Sequence, residues 1–259
     1  MPLLPLNDFA LTLALGAALG FFGGLFGIGG GIIAIPLLVL GFGMEQPLAQ
    51  GTALVMMVPN LLIAWWRYSR RHPAGWRPAL IIGISGTLTT WLLAHFSTRL
   101  DPQILRWLFS GFISVLALRM LLARHRSAQD AAGAMPTMRA LPLIGAMGGS
   151  CMGLLGIGGG LVATPLLSGW LGLRQSMAQS LSLALVAPSS IIALTTYAGA
   201  GHVDWSMGLP LAAGGLLTVA SGVALAYRLP EKRMRTFFAW MLMATAGWLV
   251  IGPLLTAVR

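Results

Sequence analysis

Charge is what this sequence has least of. Only 8% of its 259 residues are Asp, Glu, Lys or Arg, where soluble domains carry about 25%. A globule so poor in polar groups cannot cover its own core, which excludes disorder, a coiled coil, a nucleic-acid-binding domain and a secreted disulfide scaffold. Acids are scarcest: all six (Asp8, Glu45, Asp101, Asp130, Asp204 and Glu231) lie at the ends of apolar stretches or between them. That argues against a buried carboxylate relay for protons and against a sodium site built from acids. Cysteine occurs once, as Cys151, so an internal disulfide and a multi-cysteine metal site are excluded. The opening MPLLPLND has no Lys or Arg. It lacks the basic region of a cleavable leader, and the first apolar segment is expected to be retained.

What is abundant is apolar: 57% of residues are hydrophobic, and 34 more are glycine. Windows of about 20 such residues can cross a hydrocarbon layer ~30 Å thick. Candidates lie at 9–27, 46–66, 78–96, 104–123, 140–156, 176–197, 208–227 and 236–256, with shorter apolar runs at 31–43 and 160–172. None alternates like a barrel strand, and backbone polar groups in lipid must be satisfied within the segment, so the spans are predicted to be helices. The fold class read from this is an all-α polytopic membrane protein. The net charge of +10 sits in a few short segments between apolar stretches, the pattern of lipid topology rather than of nucleic-acid binding.

The sequence repeats itself. Displaced by 129 residues, Gly24–Leu38 (GLFGIGGGIIAIPLL) falls on Gly153–Leu167 (GLLGIGGGLVATPLL), with 11 of 15 positions identical. The same ungapped register aligns Gln46 with Gln175, Gln50 with Gln179, Pro59 with Pro188, Tyr68 with Tyr197 and Trp76 with Trp205. Apolar composition alone does not match Gln, Pro, Tyr and Trp in one frame. Two transmembrane repeats are expected, at 1–125 and 136–259, joined by a cytoplasmic linker at 126–135.

Equivalent loops carry opposite charge. Residues 67–77 hold four arginines, whereas the counterpart 196–206 holds no Lys or Arg. Of the 16 basic residues, twelve fall in 67–77, 119–139 and 228–235, which the positive-inside rule puts in the cytoplasm. Equivalent loops then lie on opposite faces, so the repeats are expected to be inverted, as in many secondary transporters. Under that topology residues 9–43 form a hairpin turning at Gly27–Gly31, and 140–172 its mirror. Each repeat adds three further spanning helices. Counting eight long peaks as four crossings per half gives parallel repeats instead.

The glycine turns carry the chemical suggestion. Each GIGGG, at Gly27–Gly31 and Gly156–Gly160, precedes a short apolar helix. The first amides of a helix have no intrahelical partner and bear partial positive charge, so such an end can hold an anion without a buried cation. Gly29, Gly30, Gly31, Gly158, Gly159 and Gly160 are therefore candidate anion ligands. The alternative is that they only permit close helix packing. A nucleotide loop fits poorly, because neither GxGxxG before a βαβ unit nor GxxxxGK[ST] is present. The helices that follow add uncharged donors suited to a permeating anion: Gln50, Thr52 and Asn60 on the first, and Gln179, Ser180, Ser182, Ser189 and Ser190 on the second. Interhelical hydrogen bonding is the rival role for each. Trp65, Trp66, Trp76, Trp107, Trp170 and Trp205 lie near predicted span ends and read as interfacial anchors. An intramembrane hydrolase using Ser150 with His95 or His202 would lack the GxSxG elbow, and a small-residue helix face explains Gly149-Ser150-Cys151 better.

Two halves, each with GIGGG-xxxxP followed by a polar helix bearing a mid-span proline, resemble the TauE/SafE family of membrane exporters, most specifically over 23–60 and 152–189. The resemblance implies export of sulfite or a small organosulfonate across a bacterial inner membrane by a multi-pass protein that uses no cofactor and performs no enzymatic step. Its expected partners are a small anionic sulfur compound and the bilayer, with homo-oligomerisation open and no nucleic acid. Family members often carry a Thr-Ser pair after GIGGG. Here the first half has Gly51-Thr52-Ala53 and the second Ser180-Leu181-Ser182, one hydroxyl short in each copy. A passive anion channel and a non-transporting scaffold are the competing readings.

Overall fold

A computed structural model describes residues 6–26, 29–71, 75–122, 138–226 and 240. Those residues are helical with no strand among them. In chain order the helices are α1 (Leu6–Phe26), α2 (Gly31–Pro36), α3 (Gln46–Arg71), α4 (Trp76–Ser97), α5 (Pro102–Leu122), α6 (Leu141–Leu155), α7 (Gly160–Gly169), α8 (Gln175–Gly199) and α9 (Trp205–Ala226). The expected span at 236–256 and the linker at 126–135 lie outside the described residues. Among the described residues four helices, α3, α4, α8 and α9, are long and apolar enough to cross a membrane. The short runs at 31–43 and 160–172 are short helices, as their length dictates. Pro36 closes α2, and a π-helical turn, Leu37–Gly41, carries the chain onward. The missing proline N–H accounts for that break.

Secondary structure repeats in the register of the sequence. Gly31, Gln46 and Trp76 begin α2, α3 and α4; Gly160, Gln175 and Trp205, each 129 residues on, begin α7, α8 and α9. The packing repeats too, and it crosses between the halves. α1 lies mainly on α9, and α6 mainly on α4. A Cβ at Gly16, Gly20 or Gly24 of α1 would strike Leu211, Gly215 or Val219 of α9. A Cβ at Gly145, Gly149 or Gly153 of α6 would strike Ile82, Gly86 or Thr90 of α4. Every one of these contacts maps onto its partner by the same displacement. In both pairs the numbers rise together, so the two helices run in the same direction. Glycine is required because backbone meets backbone, the usual device for tight association in a medium that offers no hydrophobic drive between helices.

α3 and α8 form the centre. In each, 67% of the apolar window is buried, against 28% for α4 and 50% for α9. They too pack on each other, with Gln50 near the start of α3 bonded to Tyr197 near the end of α8. The outside of α4 shows a stripe of exposed Leu80, Ile84, Leu88 and Leu92, spaced four apart on one helix face, as a surface facing lipid requires. All six tryptophans expected at interfaces are exposed, with Trp76 at 69% and Trp107 at 68% the most open.

Candidate functional site

Most of the buried polar side chains among the described residues sit on the two central helices, with Thr12, Thr90, Ser97 and Ser110 on others. Gln46, Gln50, Thr52 and Asn60 of α3 and Ser180, Ser182, Ser189 and Ser190 of α8 are all buried to 3% exposure or less. Among the described residues no charged side chain is buried. Hydrogen-bonding capacity at the centre is therefore entirely uncharged. Several of these groups have no protein partner: both amide atoms of Gln46, Nε2 of Gln50, both amide atoms of Asn60 and Oγ of Ser189. A buried polar group without a partner costs about 1–3 kcal/mol, so a cluster of them on the two most buried helices calls for an explanation. Asn60 and Ser189 occupy the same repeat position, each directly after its mid-span proline.

The second glycine turn draws polar groups from both halves. Gly156 ends α6 in the left-handed region with φ 67°. A Cβ there would lie 3.3 Å from Cβ of Gln50, so the side chain of a first-half residue passes over the second-half turn. Gly160 opens α7, and a Cβ on it would lie 3.0 Å from Oγ of Ser182. The first intrahelical bonds of α7 run from Val162 and Ala163 to the Gly159 carbonyl. The Gly158 φ is 41°, and Gly159 abuts the Gly148 carbonyl of α6. The structure thus brings Gln50, Gly158, Gly159, Gly160 and Ser182 into one neighbourhood.

The first glycine turn meets apolar side chains and backbone carbonyls, and a Cβ on Gly31 would lie 3.2 Å from the Gly156 carbonyl of the second turn. Gly29 faces the Leu61 side chain and Gly31 the Met57 thioether, and a Cβ on Gly30 would lie 2.7 Å from the Leu19 carbonyl and 3.3 Å from Met56. Gly30, with φ 85°, caps α2 and receives the amides of Ile33 and Ala34. Close packing, the alternative weighed for these glycines, is met directly here. The expected pair of equal amide cups is in this structure an unequal pair. The reason lies in α3 and α8: Met57 stands where Val186 does, and Ala53 where Ser182 does.

The other candidates are spread along the central helices. Thr52 Oγ1 accepts the Asp204 backbone N–H at 3.0 Å, which ties α3 to the turn that starts α9. There the Asp204 carboxylate caps the helix, accepting from the amides of Ser206 and Met207. Asn60 lies against Gly215 of α9, where a Cβ would come within 2.9 Å of its Nδ2. Gln179 is half-buried and engaged in an interaction of its own. Ser150 donates to the Ala146 carbonyl one turn back at 2.7 Å; His95 lies on the exposed face of α4, its Nδ1 2.9 Å from the Trp91 carbonyl.

With this arrangement in view, likeness to known proteins decides the class. The family model for sulfite exporter TauE/SafE matches residues 12–249. The chain belongs to that family. It is 27% identical over 250 residues to a probable membrane transporter protein of Xylella fastidiosa strain 9a5c, covering 95% of this chain and 96% of the relative. A probable membrane transporter protein of Methanocaldococcus jannaschii is 26% identical over 250 residues, covering 90% and 91%. One of Haemophilus influenzae is 26% identical over 258 residues, covering 91% and 96%. No solved structure matches. Family and helices together make this a multi-pass membrane transporter of the TauE/SafE type.

Sequence reasoning missed six of the buried polar side chains: Thr12, Gln46, Thr90, Ser97, Ser110 and Tyr197. Gln46 recurs in register with Gln175, and Tyr197 with Tyr68, so the repeat itself held the signal. Ser97 gave none, because Ala226 stands at its repeat position.

Proposed function

We propose that the protein exports a small anion, sulfite or an organosulfonate, across the bacterial inner membrane by alternating access between two inverted halves. The anion binds among uncharged donors at the centre of the bundle, passing between Gln50 and Ser182 at the N-terminal turn of α7, Gly158–Gly160, and Asn60 and Ser189 further along α3 and α8. The observation that carries this reading is the set of fully buried, unpartnered amide and hydroxyl groups on α3 and α8, with no buried charge among the described residues. Neutral donors bind an oxyanion without trapping it, which suits a substrate that must leave. A sulfite or sulfonate group presents several acceptor oxygens to such donors. Gly29–Gly31 and Thr52 act in the frame that holds these groups.

Helix directions support inversion. α1, α3 and α9 run one way: α1 tracks α9 through its glycines, and α3 tracks α9 through Thr52–Asp204 and Arg67–Ala220. α4, α6 and α8 share a direction through Gly145–Ile82, Gly153–Thr90, Gly83–Ala184 and Ser97–Tyr197. The Gln50–Tyr197 bond sets the start of α3 beside the end of α8, so the two groups run opposite ways. By these contacts α1, α3 and α4 oppose their counterparts α6, α8 and α9, which suits an arrangement in which one binding site is reached in turn from either face.

The test is flux of radiolabelled sulfite from proteoliposomes. The proposal expects saturable efflux, competed by taurine or sulfoacetate. Efflux that rises linearly with concentration and follows the gradient alone would identify a channel. Labelling of single cysteines at positions 72 and 202, in a Cys151→Ala background, checks the topology: inversion requires that they react from opposite sides.

A further inference from the structure

Tyr197 is fully buried where α3, α4, α6 and α8 meet. Its phenol oxygen lies 2.7 Å from Oε1 of Gln50, 2.8 Å from Oγ of Ser97 and 3.3 Å from the Gly153 carbonyl. Ser97 Oγ is in turn 3.1 Å from the Leu154 carbonyl. Two hydroxyl protons serve these contacts. With Ser97 donating to Tyr197 and Tyr197 donating to Gln50, the shortest contact is a well-formed O–H···O bond. The Gln50 oxygen is then occupied, and its Nε2, which has no protein partner, is left to face a ligand. The alternative chain, Tyr197 to Ser97 to Leu154, leaves the Gln50 oxygen without a donor.

We propose that Tyr197, held by Ser97, is a positioning residue that locks the Gln50 carboxamide with its N–H groups turned toward the anion beside the second glycine turn. The proposal rests on Gln50 belonging to the binding site. A primary amide is ambivalent: turned over, it offers an oxygen that repels an anion. An occupied oxygen removes that ambiguity, and the site becomes a donor without acquiring a charge. The repeat supplies a contrast in the same molecule, since Tyr68 and Gln179 stand at the equivalent positions while Ala226 replaces Ser97.

The experiment is a double-mutant cycle on sulfite flux in proteoliposomes, with KM and kcat measured separately and the melting temperature of each purified variant recorded. Loss of a hydrogen bond to the anion or to its donor predicts that Gln50→Ala and Tyr197→Phe each raise KM by about tenfold with kcat little changed. The double variant is expected to be no worse than Gln50→Ala, because residues acting through one another do not add. Should Tyr197→Phe fail to fold, Ser97→Ala is the second probe, with a KM rise of about threefold expected from a loosened lock. Additive effects, or an unchanged KM in Tyr197→Phe or Ser97→Ala where Gln50→Ala raises it, would overturn the lock. An unchanged KM in Gln50→Ala would overturn the binding site beneath it.

Discussion

The two halves of the molecule agree in their frame and differ in their polar lining. The helix starts fall in one register, and the glycine crossings of α1 on α9 recur, residue for residue, in α6 on α4. Where the halves face the centre they diverge. Asn60 answers Ser189, Thr52 answers Leu181, Ala53 answers Ser182, and Met57 answers Val186. The first glycine turn consequently meets thioether and leucine side chains and the Gly156 carbonyl, and the second meets the Ser182 hydroxyl, the aliphatic stem of Gln50 and Ile35. Backbone-to-backbone contacts tolerate no added atom, so both copies keep them. Side chains facing the centre carry no such constraint and are free to differ.

The sharpest way to break this comparison is to load both crossings at once. At Gly20 an added side chain meets the backbone of Gly215, and at Gly149 that of Gly86. Gly20→Leu and Gly149→Leu should therefore fail alike, each losing about 3 kcal/mol or more by overpacking and giving aggregated protein in size-exclusion chromatography. Tolerance of one but not the other would end the claim of a shared frame. Next in size, Asn60→Leu and Ser189→Ala should each cut sulfite flux by about tenfold while holding or raising the melting temperature, because an unpartnered buried polar group destabilises the fold it sits in. A parallel fall in both quantities would assign these residues to structure. Ser182→Ala should raise KM by about fivefold as one neutral hydrogen bond is lost, whereas Ala53→Ser should leave it unchanged; equal responses would erase the distinction between the two turns. The smallest effect belongs to Thr52→Val. It removes the acceptor for the Asp204 amide and should lower stability by about 1 kcal/mol with KM unaltered, as read by thermal melting and flux together.

Much of the frame was legible in the sequence because it is written in periodic features. Apolar windows found the helices, and the duplicated GIGGG fixed the register. The site was legible only in part. Gln50, Asn60, Ser182 and Ser189 stood out as polar residues on apolar helices, and all four are buried at the centre. The partners of Gln50 were not readable, since Tyr197 and Gly156 approach it from more than 100 residues away in sequence. Exchange of helices between the halves was equally hidden: nothing local in α1 says that it packs on α9 rather than on its own repeat. The glycine turns looked alike because their own residues are alike, and their difference lies in what α3 and α8 place against them.

The central proposal is that the buried neutral donors hold the anion. Equilibrium binding of sulfite to detergent-purified protein, measured by calorimetry for the unaltered chain and for Asn60→Leu combined with Ser189→Ala, tests that directly. Saturable binding that weakens by about a hundredfold in the double variant, from two lost hydrogen-bond sites, with an undiminished melting temperature, is the predicted result. Equal affinity in the two proteins would contradict it.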